Sequence, residues 1–297
     1  FWLGDIARGY GEGVSALASS ISGSSNIFYF RGPTTSINFI TAHDGFTMND
    51  LVTYQEKKNE ANGEDNRDGN NTNRSWNVGV EGTTKDPKIN QIRQSLQKSM
   101  MATLLLSSGV PMVTMGDEVG RTQHGSNNAF TLPIELNNEN WNKEIAWHGG
   151  WTLDWNPAGD KKDLQDAFIE LIRIRKTYLS DITSEFFTGR MDTGTERKDI
   201  AWFSLSGNEM NDEHWSDGDK RSLTVFFEAG PKNGLVLLMN SFGEETTFTL
   251  PGTSWGEAMR CIFDSFETTA TYNPVLAAPG EKVQVSPHSL QVWLVNR

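Results

Sequence analysis

An apolar, β-prone run from Ile37 to Ile40 breaks off at His43-Asp44-Gly45. The same pattern returns at Val110-Pro111-Met112-Val113-Thr114-Met115, which ends in Gly116-Asp117-Glu118. Short apolar runs of this kind read as buried strands. A buried strand with charge at its C-terminal tip points to a parallel α/β architecture, where chemistry collects at the carboxyl ends of strands. Ile37–Asp44 and Val110–Met115 are therefore predicted as strands, each carrying polar groups that its own packing does not require.

Helical spacing surrounds them. Val14, Leu17 and Ile21 fit one helical face, and residues 46–58 fit a helical turn carrying Phe46, Met48, Leu51, Val52 and Tyr54. Ile92, Leu96, Met100 and Leu104 predict a helix over 89–106, stopped by Gly109. Leu164, Phe168, Leu171, Ile172 and Arg175 predict another from Asp163 to Tyr178. Alternating strand and helix favours a parallel sheet, although two strands are too few to complete one.

After about residue 182 the pattern changes. Short alternating runs occupy 185–189, 199–205, 221–228, 234–240, 245–250, 259–263, 282–285 and 289–295, separated by Gly, Asn, Asp and Pro. Such spacing predicts an antiparallel β-sandwich. The expected organisation is an α/β unit over 1–182 and an all-β unit over 183–297.

Composition narrows the function. Hydrophobic residues make up 36% of the chain, which is globular rather than disordered. A net charge of −12 argues against a nucleic-acid partner, which needs a basic footprint. The single Cys261 excludes an internal disulfide and leaves too few thiols for a structural zinc site. It favours a reducing, cytoplasmic setting. No apolar run approaches the roughly 18–20 residues of a membrane span, and Phe1-Trp2-Leu3-Gly4-Asp5 lacks the features of a signal peptide. The chain does not begin with Met, so it reads as cut from something longer.

Asp44 at a strand tip can accept hydrogen bonds from sugar hydroxyls, and these strengthen as positive charge develops on a reacting ring. His43 can donate to a neighbouring hydroxyl. From these two residues alone, an Asp44 cap on the following segment and an internal His43 fit as well. The polar stretch Asn59–Asp86 is too long for a plain connector. Within it, Glu60–Trp76 reads as a wall of hydroxyl-binding side chains, with Arg67 and Trp76 as candidate binding residues, or as a solvated Asn-rich loop. Glu64–Ser75 fails as a calcium loop, because its first ligand position is not Asp and its twelfth is Ser75. Asp117 invites a substrate role. Its competing role, a salt bridge to Arg121 that pins the loop, is favoured. The tryptophans Trp141, Trp147, Trp151 and Trp155 fit sugar stacking or inter-domain packing.

Longer motifs carry a resemblance. Ile37–Phe46, Asn49-Asp50-Leu51-Val52, Asn59–Glu64, Asn66-Arg67-Asp68-Gly69, Ser75-Trp76-Asn77, Glu81-Gly82, Gly116–Gln123 and Asn127-Asn128-Ala129-Phe130 resemble the glycogen debranching enzymes of the isoamylase type, in the α-amylase superfamily. The stretch Leu132–Trp147 departs from the pattern. The resemblance implies the end of a (β/α)₈ TIM barrel followed by a C-terminal antiparallel β-sandwich. It implies retaining hydrolysis of α-1,6 branch linkages in glycogen or limit dextrin, with no cofactor. Asp44 would be the transition-state-stabilising carboxylate and His43 the adjacent sugar-binding residue. Arg67, Trp76 and Asp117 would bind substrate, and Val110–Met115 would be the eighth barrel strand. No residue here matches the family's nucleophile or acid/base, which lie on earlier strands, so this chain alone is expected to be inactive. A non-catalytic glucan-binding fragment and an α-1,4-acting or transferring member of the superfamily are the alternatives.

Overall fold

The computed structural model describes residues 1–4, 13–60, 63–131, 153, 156–180, 184–192, 194, 196–269 and 272–297. The first half is helical: α1 (Gly13–Ile21), α2 (Ser25–Phe28), α3 (Met48–Leu51), α4 (Pro87–Leu105) and α5 (Asp160–Tyr178). Two short strands, β1 (Ile37–Asn38) and β2 (Val110–Pro111), pair in parallel. No helix among the described residues is long and apolar enough to cross a membrane.

The long helix α4 begins where its chemistry dictates. Asp86 accepts from the backbone N–H groups of Lys88 and Ile89 at 2.9 and 3.4 Å, and Pro87 occupies the first turn, where its missing N–H costs nothing. At the other end, the Arg175 guanidinium of α5 donates to the carbonyls of Leu105, Ser107 and Gly109, satisfying groups the helix leaves unpaired. Gly109 is not the helix stop. With φ at 108°, it opens β2, where a Cβ would stand 2.8 Å from the Ser36 carbonyl, so its role is close approach of the two strands.

The two strands are shorter and more exposed than their apolar composition predicts. Ile37 and Phe39 are 60% and 54% exposed, and Val110 and Met112 are also exposed. A parallel strand is buried by neighbours on both edges and by layers on both faces. Among the described residues β1 and β2 pair only with each other, which leaves their apolar side chains uncovered.

The second half builds a six-stranded antiparallel sheet in the order β3-β4-β5-β10-β7-β8. These strands are Ile200–Phe203, Ser222–Glu228, Asn233–Asn240, Ser289–Asn296, Ala258–Asp264 and Leu276–Ala277 respectively. A two-stranded sheet of β6 (Thr246–Thr249) and β9 (Lys282–Val285) covers one face. A short helix, α6 (Asp212–Ser216), lies between β3 and β4. The run at 185–189 forms no strand, because Asp199 accepts from the backbone N–H groups of Thr188 and Gly189 at 2.7 and 2.8 Å. Side-chain capping there replaces ladder pairing.

The central strands are not half-buried. Leu223, Val225 and Phe227 of β4 face a core shared with Leu96 and Met100 of α4, while Phe226 faces Phe248, Val285 and Trp255 of the sandwich. In β5, Leu235 and Leu237 turn to the helices and Val236 and Leu238 to the sandwich. Burial on both faces explains why these strands read as continuous apolar runs.

Small hydroxyls let α4 lie close against the sheet. Ser95 donates to the His288 carbonyl at 2.9 Å, and the Ser99 and Ser265 hydroxyls meet at 2.8 Å. A buried ion pair, Lys98–Asp163, ties α4 to α5. Lys98 also donates to the Glu267 carbonyl at 2.9 Å, and Asp163 accepts from the Thr269 N–H at 2.7 Å. This pair links both helices to the β-domain.

Removing one partner strands the other charge in low dielectric. Asp163→Ala is expected to cost about 3–5 kcal/mol in urea denaturation of the intact protein. The double substitution Lys98→Met with Asp163→Leu is expected to recover part of that loss.

Candidate functional site

Beyond β1 the chain bends, and the polar tip is held from below. Thr41 donates to the carboxylate of Asp117 and meets the Thr114 hydroxyl at 3.0 Å. The other Asp117 oxygen accepts from the Met48 N–H at 3.1 Å. Asp117 is 3% exposed, and burial raises the pKa of its carboxyl. It braces the segment between β1 and α3 and does not present a face to substrate. The bracing partners are Thr41 and Met48.

Gly45, with φ at 91°, turns the chain so that its N–H donates to the Asn127 carbonyl at 3.0 Å, and Asp44 forms an antiparallel bridge with Asn128. His43 and Asp44 project from this turn. Their side chains are 73% and 78% exposed, with His43 Nε2 standing 3.4 Å from Asp44 Oδ2. Neither residue is internal. The ring of Phe130, itself exposed, meets His43 edge-on at 5.8 Å.

The Asn-rich loop is exposed along most of its described length and is tied down at a few asparagines. Asn59 donates from Nδ2 to Asn127 Oδ1 at 2.8 Å and accepts from the Asn127 N–H at 3.1 Å. Asn127 in turn donates to the Asn70 carbonyl and to Asn73 Oδ1, both at 2.7 Å. Asn128 donates to Asp68 Oδ2 at 2.8 Å. Through Asn127 and Asn128 the loop over 59–73 is therefore joined to the backbone beside Asp44. Asp50, fully buried at the start of this region, accepts from Thr122 and from the Gln123 N–H at 2.7 Å. Burial raises its carboxyl pKa as well.

Of the sequence-predicted residues, His43 and Asp44 stand together. Arg67 lies on the same loop, exposed, with Nε donating to the Glu64 carbonyl at 3.0 Å and its guanidinium 3.7 Å from Asp65. Trp76 stands elsewhere. Its ring meets His288 of the β-domain at 4.9 Å, and it lines a cavity of about 290 Å³ with Trp2, Arg221 and Ser241. A large half-apolar side chain finds its cover at the seam between the two halves. Trp141, Trp147, Trp151 and Trp155, the Leu132–Trp147 departure and the boundary near 182 lie outside the described residues.

Sequence reasoning passed over Asp68, Asn127 and Phe130 as single residues, although Asp68 and the Asn-Asn-Ala-Phe motif were visible. It also passed over Asp50. The signal there was Thr47-Met48-Asn49-Asp50, in which Thr47 caps α3 by accepting from the Asp50 N–H at 3.1 Å.

The exposed pair offers an acceptor and a ring nitrogen beside an aromatic edge, on a frame fixed by buried polar groups. This suits recognition of neutral hydroxyl-bearing molecules. Residues 199–296 match the family model described as isoamylase, C-terminal. This segment belongs to the isoamylase C-terminal family. The chain carrying this isoamylase C-terminal domain is 38% identical over 306 residues to the glycogen operon protein GlgX homolog of Mycobacterium tuberculosis, covering 95% of the chain and 40% of that protein. It is 34% identical over 258 residues to a glycogen debranching enzyme of Yersinia pestis, covering 86% of the chain and 34% of that protein. The chain thus spans about 40% of the length of its first curated relatives.

Among solved structures, the chain is similar to the catalytic module of the glycogen-degrading pneumococcal virulence factor SpuA, with a TM-score of 0.59 and 14% identity over 96% of this chain and 39% of that one. A pullulanase from Anoxybacillus complexed with maltotetraose gives a TM-score of 0.56 and 18% identity over 99% of this chain and 32% of that one. At these identities the likeness is one of fold. The isoamylase-type resemblance carried by the sequence motifs is borne out by these matches.

Two outcomes test this geometry. A Cβ on Gly69, where φ is 70°, would meet Asn127 Oδ1 at 2.1 Å. Gly69→Ala is expected to cost more than about 1 kcal/mol and to open the loop over 59–73 to protease cleavage. Burial lowers the pKa of His288 below its ordinary 6.5. The folded state therefore binds that proton more weakly than the unfolded chain, so this stability is complete above pH 6.5 and is lost as pH falls below it. Denaturation midpoints are expected to drop as pH falls below 6.5, and His288→Phe to flatten that drop.

Proposed function

We propose that this chain works as part of a glycogen debranching enzyme that hydrolyses α-1,6 branch linkages of glycogen or limit dextrin with retention. Asp44 is the carboxylate that stabilises the positively charged transition state. His43 binds an adjacent hydroxyl, and Arg67 binds further along the glucan. Residues 1–182 are the closing part of a (β/α)₈ barrel, with β1 and β2 as its last two strands, and 183–297 the sandwich that follows it. The intact protein acts in the cytoplasm, without an organic cofactor.

The observation that carries the reading is the exposed His43–Asp44 pair at the carboxyl end of a strand in parallel pairing. The uncovered Ile37, Phe39, Val110 and Met112 support the barrel, since neighbouring strands and helices are what such side chains require. The names of the relatives, a glycogen operon protein and a glycogen debranching enzyme, support the substrate class. The nucleophile and the acid/base of a retaining pair are assigned to no residue of this chain.

The test is Asp44→Asn in the intact protein, assayed on branched and on linear glucan. Turnover on branched glucan is expected to fall about 10²–10³-fold with a smaller change in KM. Unchanged turnover sinks the role of Asp44, and a preference for linear glucan sinks the debranching assignment.

A further inference from the structure

Along one face of α4, Asn90, Arg93 and Gln97 line a cleft of about 240 Å³ whose opposite wall includes Thr53, Thr83 and Thr84. Arg93 and Gln97, four residues apart and so neighbours on the helix surface, are each 6% exposed. The terminal nitrogens of Arg93 donate to the carbonyls of Asn77, Val80 and Gly82. Its Nε–H is buried and, among the described residues, meets no acceptor. Gln97 turns Nε2 to the Arg93 carbonyl at 3.4 Å, an acceptor its amide oxygen could not face. Its Oε1 is likewise buried and, among the described residues, meets no donor.

One buried donor and one buried acceptor thus stand a helical turn apart. Buried polar groups are otherwise almost always paired, because the lost hydration is not recovered elsewhere. A hydroxyl is their chemical complement: its oxygen accepts from Arg93 Nε–H and its hydrogen goes to Gln97 Oε1. A carboxylate or phosphate would satisfy the first and be repelled by the second. The other walls carry the neutral Asn49, Thr53, Thr83, Thr84 and Asn90 together with one acid and one base, Asp160 and Lys161, whose charges offset. Thr53 donates its hydroxyl proton to the Asn49 carbonyl at 2.7 Å, so its lone pairs remain as acceptors. Asn90 donates to the Thr84 carbonyl at 2.9 Å, so its amide oxygen remains for a donor. The volume far exceeds that of a single water and falls just short of the smallest drug-sized pockets, about 300 Å³. It suits one ring and not a run of polymer.

We infer that this cleft binds a neutral polyhydroxylated ring, with one ring hydroxyl seated between Arg93 Nε and Gln97 Oε1. The inference rests on the glucan reading only for its probe, maltose. Crystals of the intact protein soaked across a maltose series are expected to show a ring in the cleft, with one hydroxyl in hydrogen-bond reach of both atoms. In solution, Gln97→Met is expected to weaken this binding about tenfold, the loss of one such hydrogen bond. Thr83→Trp, at an exposed position, is expected to fill the cleft and abolish binding there without disturbing the core. Maltose bound elsewhere with water alone in the cleft overturns the inference and leaves the glucan reading standing. Maltose bound nowhere overturns both. A ring in the crystals whose solution affinity neither variant changes is binding at crystal concentration only, and overturns the inference as well.

Discussion

The buried Lys98–Asp163 pair is the constraint on which the arrangement of the two halves depends. Two opposite charges out of water are tolerated only when every remaining hydrogen-bonding position is filled. Here those positions are filled from three directions: Gln94 of α4, the Glu267 carbonyl and the Thr269 N–H of the β-domain. The pair therefore specifies a geometry more than it adds stability, since the observed placement of α4, α5 and the 267–269 segment satisfies all of these groups together. The serine contacts at Ser95, Ser99 and Ser265 then set how closely the helix lies on the sheet. With α4 seated, the second face of β4, β5 and β10 is buried, and the sheet acquires two cores instead of one.

Carboxylates divide the labour at the other end of the α/β half. Asp50 and Asp117 are buried, accept backbone and hydroxyl hydrogen bonds, and hold loops. Asp44 is exposed and holds nothing comparable. With the Asp44 side chain left exposed, the frame is built from its neighbours. The Asn59–Asn127 exchange extends that frame to the loop over 59–73. Asparagine suits this role because one side chain both donates and accepts without introducing a charge. The same division recurs at the cleft on α4, where Arg93 is consumed by three carbonyls except at Nε.

Much of this was legible in the chain. Helix α4 and helix α5 followed from helical spacing, because packing of one apolar stripe leaves that period in the sequence. Seven of the eight β runs became strands, while 185–189 did not, since the competing acceptor, Asp199, comes from ten or more residues away. The tip at His43-Asp44 was legible because charge after an apolar run has no local explanation. Asp117 and Trp76 share their residue types with the other candidate binding groups, and local sequence does not separate them. Whether a carboxylate faces solvent or a threonine, and whether an indole faces a ligand or a histidine, depends on partners far along the chain.

The sequence by itself determined the element types, the change from α/β to all-β character and the chemical nature of the His43–Asp44 tip, because these rest on periodicity and on residue chemistry within a few positions. Only the tertiary structure decided which polar groups are spent internally and which remain available. That choice is a competition among hydrogen-bond partners brought together across tens to hundreds of residues, such as Thr41 with Asp117, Asn59 with Asn127 and Ser95 with the carbonyl of His288. Local pattern carries no record of which partner wins, because burial sets the cost of leaving any one of them unmade.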